Sequence, residues 1–435
     1  VSWVDYFKLR YSVGLTGRDN VNPWRWQTFY NLGTDKGQQF GTNGGVLGST
    51  LYPKVTANRN MTWDNVLKQN IGFDLNLLNN RLGLGFDYYY DKNTDMLISL
   101  ATTVDVPLSV GGGFAEENFA AVNAWGSEFS INWNDKVGKD FSYNVGVNFG
   151  FSDNKVIKYP QAAIAPFYDN TTKEGQSTIF PAWGFKTWKE TSTGDGILRT
   201  DEDITNYWNY LTANATAAGG TPSYLGITTV AGVKKGMLAY QDINGAFNSA
   251  DGTLNTTPDG KIDSAGLDYV KLAKKNTTYG FTTNLGFKYK SFYFKTQIST
   301  SWGGYSSIDI MKQGVNRNTW PMWNHESYWK DMYDATDNVG GKYPSLAYYD
   351  QISSPSDFWQ VSSFRCNIRN LTLGFAIPKQ ALDSIKIQSA TLGITGMNLW
   401  DLYNPYPDHY RNMYDSPTVG YPTLRTWSLN LNVSF

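Results

Sequence analysis

One cysteine, Cys366, and two histidines, His325 and His409, are all that the 435 residues offer of those types. A single thiol excludes an intramolecular disulfide framework. Neither histidine sits in a zinc spacing, and His325-Glu326 lacks the second histidine that a metalloprotease helix requires. There is no nucleophile elbow and no phosphate-cradling glycine loop, so the chain is read as a non-enzyme. Paired carboxylates of the glycosidase kind are not recognisable from spacing alone. Charge of one sign is also lacking. The net value is −1, which argues against a nucleic-acid partner or an anionic surface. No apolar run approaches the roughly 18 residues of a membrane helix, and no signal peptide opens the chain. Val1-Ser2-Trp3 does not resemble a natural start, so the chain is expected to be the C-terminal part of a longer protein.

What is present is aromatic surface and alternation. Aromatic residues make up 16%, with 16 Trp and 29 Tyr, while the mean hydropathy is only −0.42. Soluble cores prefer aliphatic side chains. Interface girdles of a transmembrane barrel, or loops facing sugars and peptides, use Trp and Tyr instead. The end of the chain shows the pattern most cleanly. Trp427, Leu429, Leu431, Val433 and Phe435 alternate with small polar residues, giving a strand with one apolar and one polar face. A terminal aromatic on such a strand suits a membrane-inserting, barrel-closing segment. The same period of two recurs over 71–77, 82–90, 129–133, 141–151, 279–289, 292–302 and 371–377, and in the first residues at Leu9, Tyr11, Val13 and Leu15. The phase slips just before Leu371, which predicts a bulge.

Alternation alone also fits a soluble sandwich. The connections separate the two. Tight turns at Asn79-Asn80, Asp135 to Lys139, Lys290-Ser291 and Pro378 to Asp383 take turns with long polar stretches over about 92–123, 153–277, 304–357 and 400–424. Short turns at one rim and long loops at the other describe an outer-membrane barrel with lipid outside and Gly, Ser and Asn toward the lumen. Parity places Phe435 at the periplasmic rim and gives 153–277 zero or two spanning strands. Residues 1–61 carry no assignment, and a short helical turn is expected near Asp201 to Leu211. Roughly ten to twelve strands are expected, too few to close a barrel of about 22.

At this point particular residues resemble a family. Leu9-Arg10-Tyr11-Ser12-Val13-Gly14-Leu15-Thr16-Gly17, Met61-Thr62-Trp63-Asp64 with Asn70-Ile71-Gly72-Phe73-Asp74, and Asn79-Asn80-Arg81-Leu82 with Phe86-Asp87-Tyr88-Tyr89 are similar to segments of SusC/RagA-type TonB-dependent transporters of Bacteroidetes. So are Phe364 to Phe375 and Thr395-Gly396-Met397-Asn398-Leu399. The resemblance runs in order along nearly the whole chain. It implies an all-β fold in which residues 1–435 are the C-terminal portion of one large antiparallel transmembrane β-barrel domain of about 22 strands, the plug domain lying outside this chain. It further implies an outer-membrane location in contact with membrane lipids, and a SusD-like surface lipoprotein as lid. Energy would come through TonB, contacted by an N-terminal region absent here. The cargo would be a large nutrient, an oligosaccharide favoured by the aromatic content and a peptide as the alternative. A passive porin and a soluble carbohydrate-binding module are the rival readings.

Two candidate sites follow. Asp242-Ile243-Asn244-Gly245 and Asp259-Gly260-Lys261-Ile262-Asp263 resemble two halves of a family DxNGDGxID segment. Oxygens of Asp242, Asn244, Asp259 and Asp263 suit a structural calcium, although 246–258 separate the halves and the same residues suit a polar hairpin. No cofactor is otherwise required. The second candidate is aromatic: Trp320, Trp323, Tyr328 and Trp329, with Trp183, Trp188, Tyr403 and Tyr406, are expected to stack on substrate or to meet the lid, since flat rings cover sugar C–H faces.

Overall fold

The computed structural model describes residues 3–19, 24, 26–34, 37, 48–55, 57–100, 115–160, 172–248, 250–263, 266–273, 278–307, 331–383, 386–405 and 424–434. Ten strands form one antiparallel sheet in chain order. They are β1 (Val4–Arg18), β2 (Asp64–Leu77), β3 (Leu82–Ser99), β4 (Glu116–Val137) and β5 (Phe141–Lys158), then β6 (Tyr279–Tyr289), β7 (Phe292–Trp302), β8 (Arg365–Ala376), β9 (Ser389–Tyr403) and β10 (Thr426–Ser434). Each pairs with its neighbour, and β5 pairs directly with β6. Among the described residues, 153–277 therefore contributes no further strand to the sheet. The bulge expected before Leu371 is present: Gln297 faces Asn370 while Ile298 faces Ile368, leaving Arg369 as the extra residue.

Alternation decides which face each side chain takes. On β1, Phe7, Leu9, Tyr11, Val13 and Leu15 are each more than half exposed. On β10, Trp427, Leu429 and Leu431 are 51%, 76% and 64% exposed. A row of bare apolar side chains on this scale is a lipid-facing surface. The opposite face carries Gly72, Asp74, Gly85, Asp87, Ser130, Asn144 and Lys288, in register across the same strands. Aromatic residues bracket the apolar band. Near the short turns, Trp133 donates through Nε1 to the Tyr143 hydroxyl at 3.3 Å. Near the other end, Tyr90 stacks on Trp125 at 6.4 Å and Tyr279 meets Trp302 at 6.2 Å. Trp125 and Trp133 lie eight residues apart on β4, about 26 Å along the strand and, at a tilt of about 40°, about 20 Å in height, within a few ångströms of an apolar band about 25 Å tall.

The polar stretch 92–123, expected to be a loop, is corrected by the structure. β3 continues to Ser99 and β4 begins at Glu116, with Ser99 opposite Glu116. Beyond the upper aromatic ring both faces of a strand meet water, so the apolar alternation fades while the pairing persists. Residues 29–33 and 50–55 form a separate hairpin within the first long connection.

The described parts of the long connections 159–278 and 303–364 share a core. Phe185, Ile197, Leu198, Tyr207, Leu211, Leu238 and Tyr240 from the first pack with Met332, Tyr343, Ile352 and Trp359 from the second. Backbone bonds lock them: Phe185 N donates to Pro355 O at 2.8 Å and Asp357 N to Phe185 O at 3.0 Å. A helix, α1 (Asp201–Ala217), runs six residues past the turn expected there. Thr200 caps it, accepting from Asp203 N, and buried Asp203, Tyr207, Leu211 and Ala215 form its inward stripe at a spacing of four. The resulting cap is tied to the barrel wall. Thr178 N donates to Asn154 Oδ1 at 2.7 Å, and Ser301 Oγ to Ser363 O at 2.9 Å.

Candidate functional site on the long-loop side

The cap brings together what the sequence held apart. Asp242 is buried, and its carboxylate accepts from Asp259 N at 3.2 Å, Gly260 N at 2.6 Å and Asn214 Nδ2 of α1 at 3.0 Å. The two halves of the acidic segment thus meet across the insertion, whose Phe247-Asn248 and Thr253-Leu254 form a small hairpin. Gly260 has φ +77 and lies against Ala215 of α1, so a side chain there would be both strained and obstructed.

The sequence reading missed a fifth member, Asp268. Its Oδ1 accepts from Ile243 N at 2.7 Å and Asn244 N at 2.9 Å, while Asn244 Nδ2 donates to Leu267 O at 2.8 Å. Asp268 is 1% exposed, and its Oδ2, like Oδ1 of Asp263, is buried with no hydrogen-bond partner among the described residues. Burial pushes the Asp268 carboxyl up to about 7 against the pull of its two N–H donors, and the carboxylates of Asp242 and Asp259 add to the rise. Burial likewise raises Asp242. Among the described residues no three His, Cys, Asp or Glu side chains converge as a metal cage. In this arrangement Asp242 serves the backbone of 259–260, and the two orphaned oxygens are what a proton or a cation would satisfy.

Of the aromatic candidates, Trp320, Trp323, Tyr328, Trp329 and Tyr406 lie outside the described residues, as does Phe435. Trp188 is 5% exposed. Its ring packs on Tyr207 at 5.2 Å and Tyr210 at 5.7 Å. Those contacts occupy the indole faces, so Trp188 is core rather than a platform for a ligand. Trp183 pairs in a short strand with Lys271, whose ammonium lies 5.2 Å from the ring centre. Tyr403 is half exposed at the end of β9, against Phe364. The structure does not gather Trp183, Trp188 and Tyr403 into one surface.

At the other end of the chain, β10 offers Trp427, Leu429, Leu431 and Val433 to lipid and pairs through one edge only, with β9. β1 likewise pairs only with β2. Among the described residues the sheet is therefore open at both edges, which a barrel closes with further strands.

This architecture defines a class: part of an outer-membrane transmembrane β-barrel, crossing with strands and carrying a folded cap on its long-loop side. Comparison with known proteins then gives the kinship. No family model matches the chain. It is 26% identical over 457 residues to the TonB-dependent receptor P3 of Formosa agariphila, an alignment covering 99% of this chain and 39% of that protein. It is 22% identical over 450 residues to the TonB-dependent receptor SusC of Bacteroides thetaiotaomicron, covering 98% and 37%. Its fold matches the structure of the RagAB peptide transporter with a TM-score of 0.63 at 17% identity, covering all of this chain and 41% of that one. Sequence and fold together make the chain a relative of the SusC/RagA-type TonB-dependent receptors, and it spans about two fifths of the length of the relatives it matches.

Proposed function

We propose that this chain is the C-terminal part of the barrel of an active importer, which takes a large nutrient across the outer membrane with energy supplied through TonB. The observation that carries this reading is the fusion of two long connections into one cored cap on a lipid-facing sheet. A passive pore needs only short or mobile loops. A cap with its own core is a rigid surface on which cargo and a lipoprotein lid can be received. The kinship with TonB-dependent receptors supports energy coupling, and the kinship with SusC supports a SusD-like surface lipoprotein as partner. Cargo is an oligosaccharide in the first instance and a peptide in the second. The buried, unpartnered oxygens of Asp263 and Asp268 support a structural calcium in the cap.

The test is deletion of the gene in its host, followed by growth on oligosaccharide or peptide as sole nutrient, with and without a functional TonB. Loss of growth on one class when the gene is deleted, and equally when TonB is lost with the gene intact, supports energised import and names the cargo. Uptake that persists without TonB would replace this reading with the passive pore.

A further inference from the structure

The lipid-facing side of β6 to β10 carries a crevice that import does not use. It measures about 360 Å³ and is lined chiefly by Phe287, Phe292, Phe294, Leu373, Phe375 and Leu392. Phe287 and Phe294 stack with centroids 4.8 Å apart, and Phe292 meets Phe375 at 4.7 Å, so four rings form one wall. Leu373 is paired with Ile394 and Phe375 with Leu392, and these aliphatics form the other wall. All project from the apolar face, so the crevice opens to the membrane and not to the lumen.

It lies at the short-turn rim, and that rim is cationic. Lys290 sits in the turn between β6 and β7, two residues before Phe292. Its ammonium lies 5.5 Å from the ring centre of Tyr289, a residue of the lipid-facing row, which turns the charge to the membrane side. The next short connection, 377–388, brings Lys379 and Lys386, both exposed, with Asp383 between them. Asp140 of the neighbouring turn gives Lys290 only a backbone carbonyl, at 2.9 Å. Among the described residues no ion pair engages Lys290, Lys379 or Lys386.

An apolar slot beside two short turns whose lysines make no ion pair among the described residues, at the height where a bilayer changes from acyl chain to headgroup, matches one ligand chemistry. We infer that the crevice binds an anionic phospholipid of the periplasmic leaflet, one acyl chain lying between the phenylalanine wall and Leu373 and Leu392, the phosphate meeting Lys290 and the lysines of 377–388. The inference rests on the outer-membrane placement and is independent of import.

Native mass spectrometry of the full-length protein in mild detergent, challenged separately with phosphatidylglycerol and phosphatidylcholine, tests it. One phosphatidylglycerol is expected to be retained in preference to phosphatidylcholine. Leu373→Trp, which fills the slot and stays apolar, is expected to abolish retention of both. Lys290→Glu, Lys379→Glu and Lys386→Glu are each expected to lower phosphatidylglycerol affinity more than about fivefold, the factor that loss of about 1 kcal/mol per basic residue represents by itself, and to leave phosphatidylcholine unchanged. Heat-modifiable gel migration reports folding of each variant, and Lys290→Gln gives the smaller loss expected of neutralisation alone. Equal retention of the two lipids, no retained lipid, or undiminished retention in folded Leu373→Trp would overturn the inference.

Discussion

Arg10 on β1 reaches over β2 to grip Asp87 on β3, its Nη1 3.0 Å from Oδ1 and its Nη2 2.9 Å from Oδ2. On the way its Nε meets Asp74 at 3.0 Å. The bridge exists because the residue beneath it is Gly72. A Cβ there would collide with the Asp87 carboxylate. Gly72→Val should therefore break the bridge while leaving the strand apolar pattern intact. The expected readout is a lower temperature for the loss of heat-modifiable migration, and Arg10→Gln should lower it in the same direction. If Gly72→Val and wild type unfold together, the bridge does not brace the wall.

Gly374 of β8 makes the same argument with an aromatic. The Tyr293 ring lies flat over it on the lumen face. Gly374→Leu should displace the ring and narrow the lumen wall, and an increase in heat lability is expected. The double variant with Tyr293→Ala should recover most of the loss, since the two changes share one space.

Asp203 holds the start of α1. Burial alone would raise its carboxyl, but N–H groups of Ser192, Arg199 and Thr200 donate to it and bring it below the ordinary value of 3.8. A carboxyl depressed on folding stabilises the cap above the unfolded value and loses that contribution as pH falls through the lower, folded one. Asp203→Ala should cost about 2–3 kcal/mol at neutral pH, the scale of hydrogen bonds to a charged group. Hydrogen exchange across α1 should show the difference at pH 7 and a smaller one near pH 3.

Trp188→Ala should empty a packed site in the cap core and cost about 3–5 kcal/mol. Exchange protection should fall across Phe185, Tyr207 and Tyr240 together, and any loss of uptake should track it. Uptake abolished with protection unchanged would return Trp188 to the list of cargo contacts.

Calcium is expected to raise the cap's unfolding temperature, and both Asp259→Ala and Asp268→Asn are expected to abolish the response. No response in the wild type would leave a proton as the partner of the two orphaned oxygens.

The barrel wall was legible and the cap was not, for a physical reason. A transmembrane strand must be apolar on alternate residues because lipid meets one whole face, so 71–77 or 427–433 declares itself, and even the extra residue Arg369 shows as a slipped phase. The cap buries its residues from all sides and at irregular intervals. Phe185, Tyr240 and Trp359 meet in one core without any period linking them. Helix α1 was half visible because its stripe begins with a polar residue, Asp203. Asp268 left a weak signal, an acid five residues beyond Asp263 in an acidic segment, but only the fold shows that it turns back on Ile243 and Asn244. The aromatic surplus points to girdles and cargo-facing loops, and the cap departs from that by packing Trp188, Tyr207, Tyr240 and Trp359 into a core of its own. Much of it lies in the girdles and in the cap core.

The pairing of Ser99 with Glu116 lies nine residues beyond the upper aromatic ring at Tyr90 and Trp125. With strands tilted by about 40°, that is on the order of 20 Å of wall standing clear of the hydrocarbon. The outer leaflet of such a membrane is a forest of sugar chains. A wall raised by this height lifts the end of the β3–β4 pair above the crowded base of that layer and into open solution.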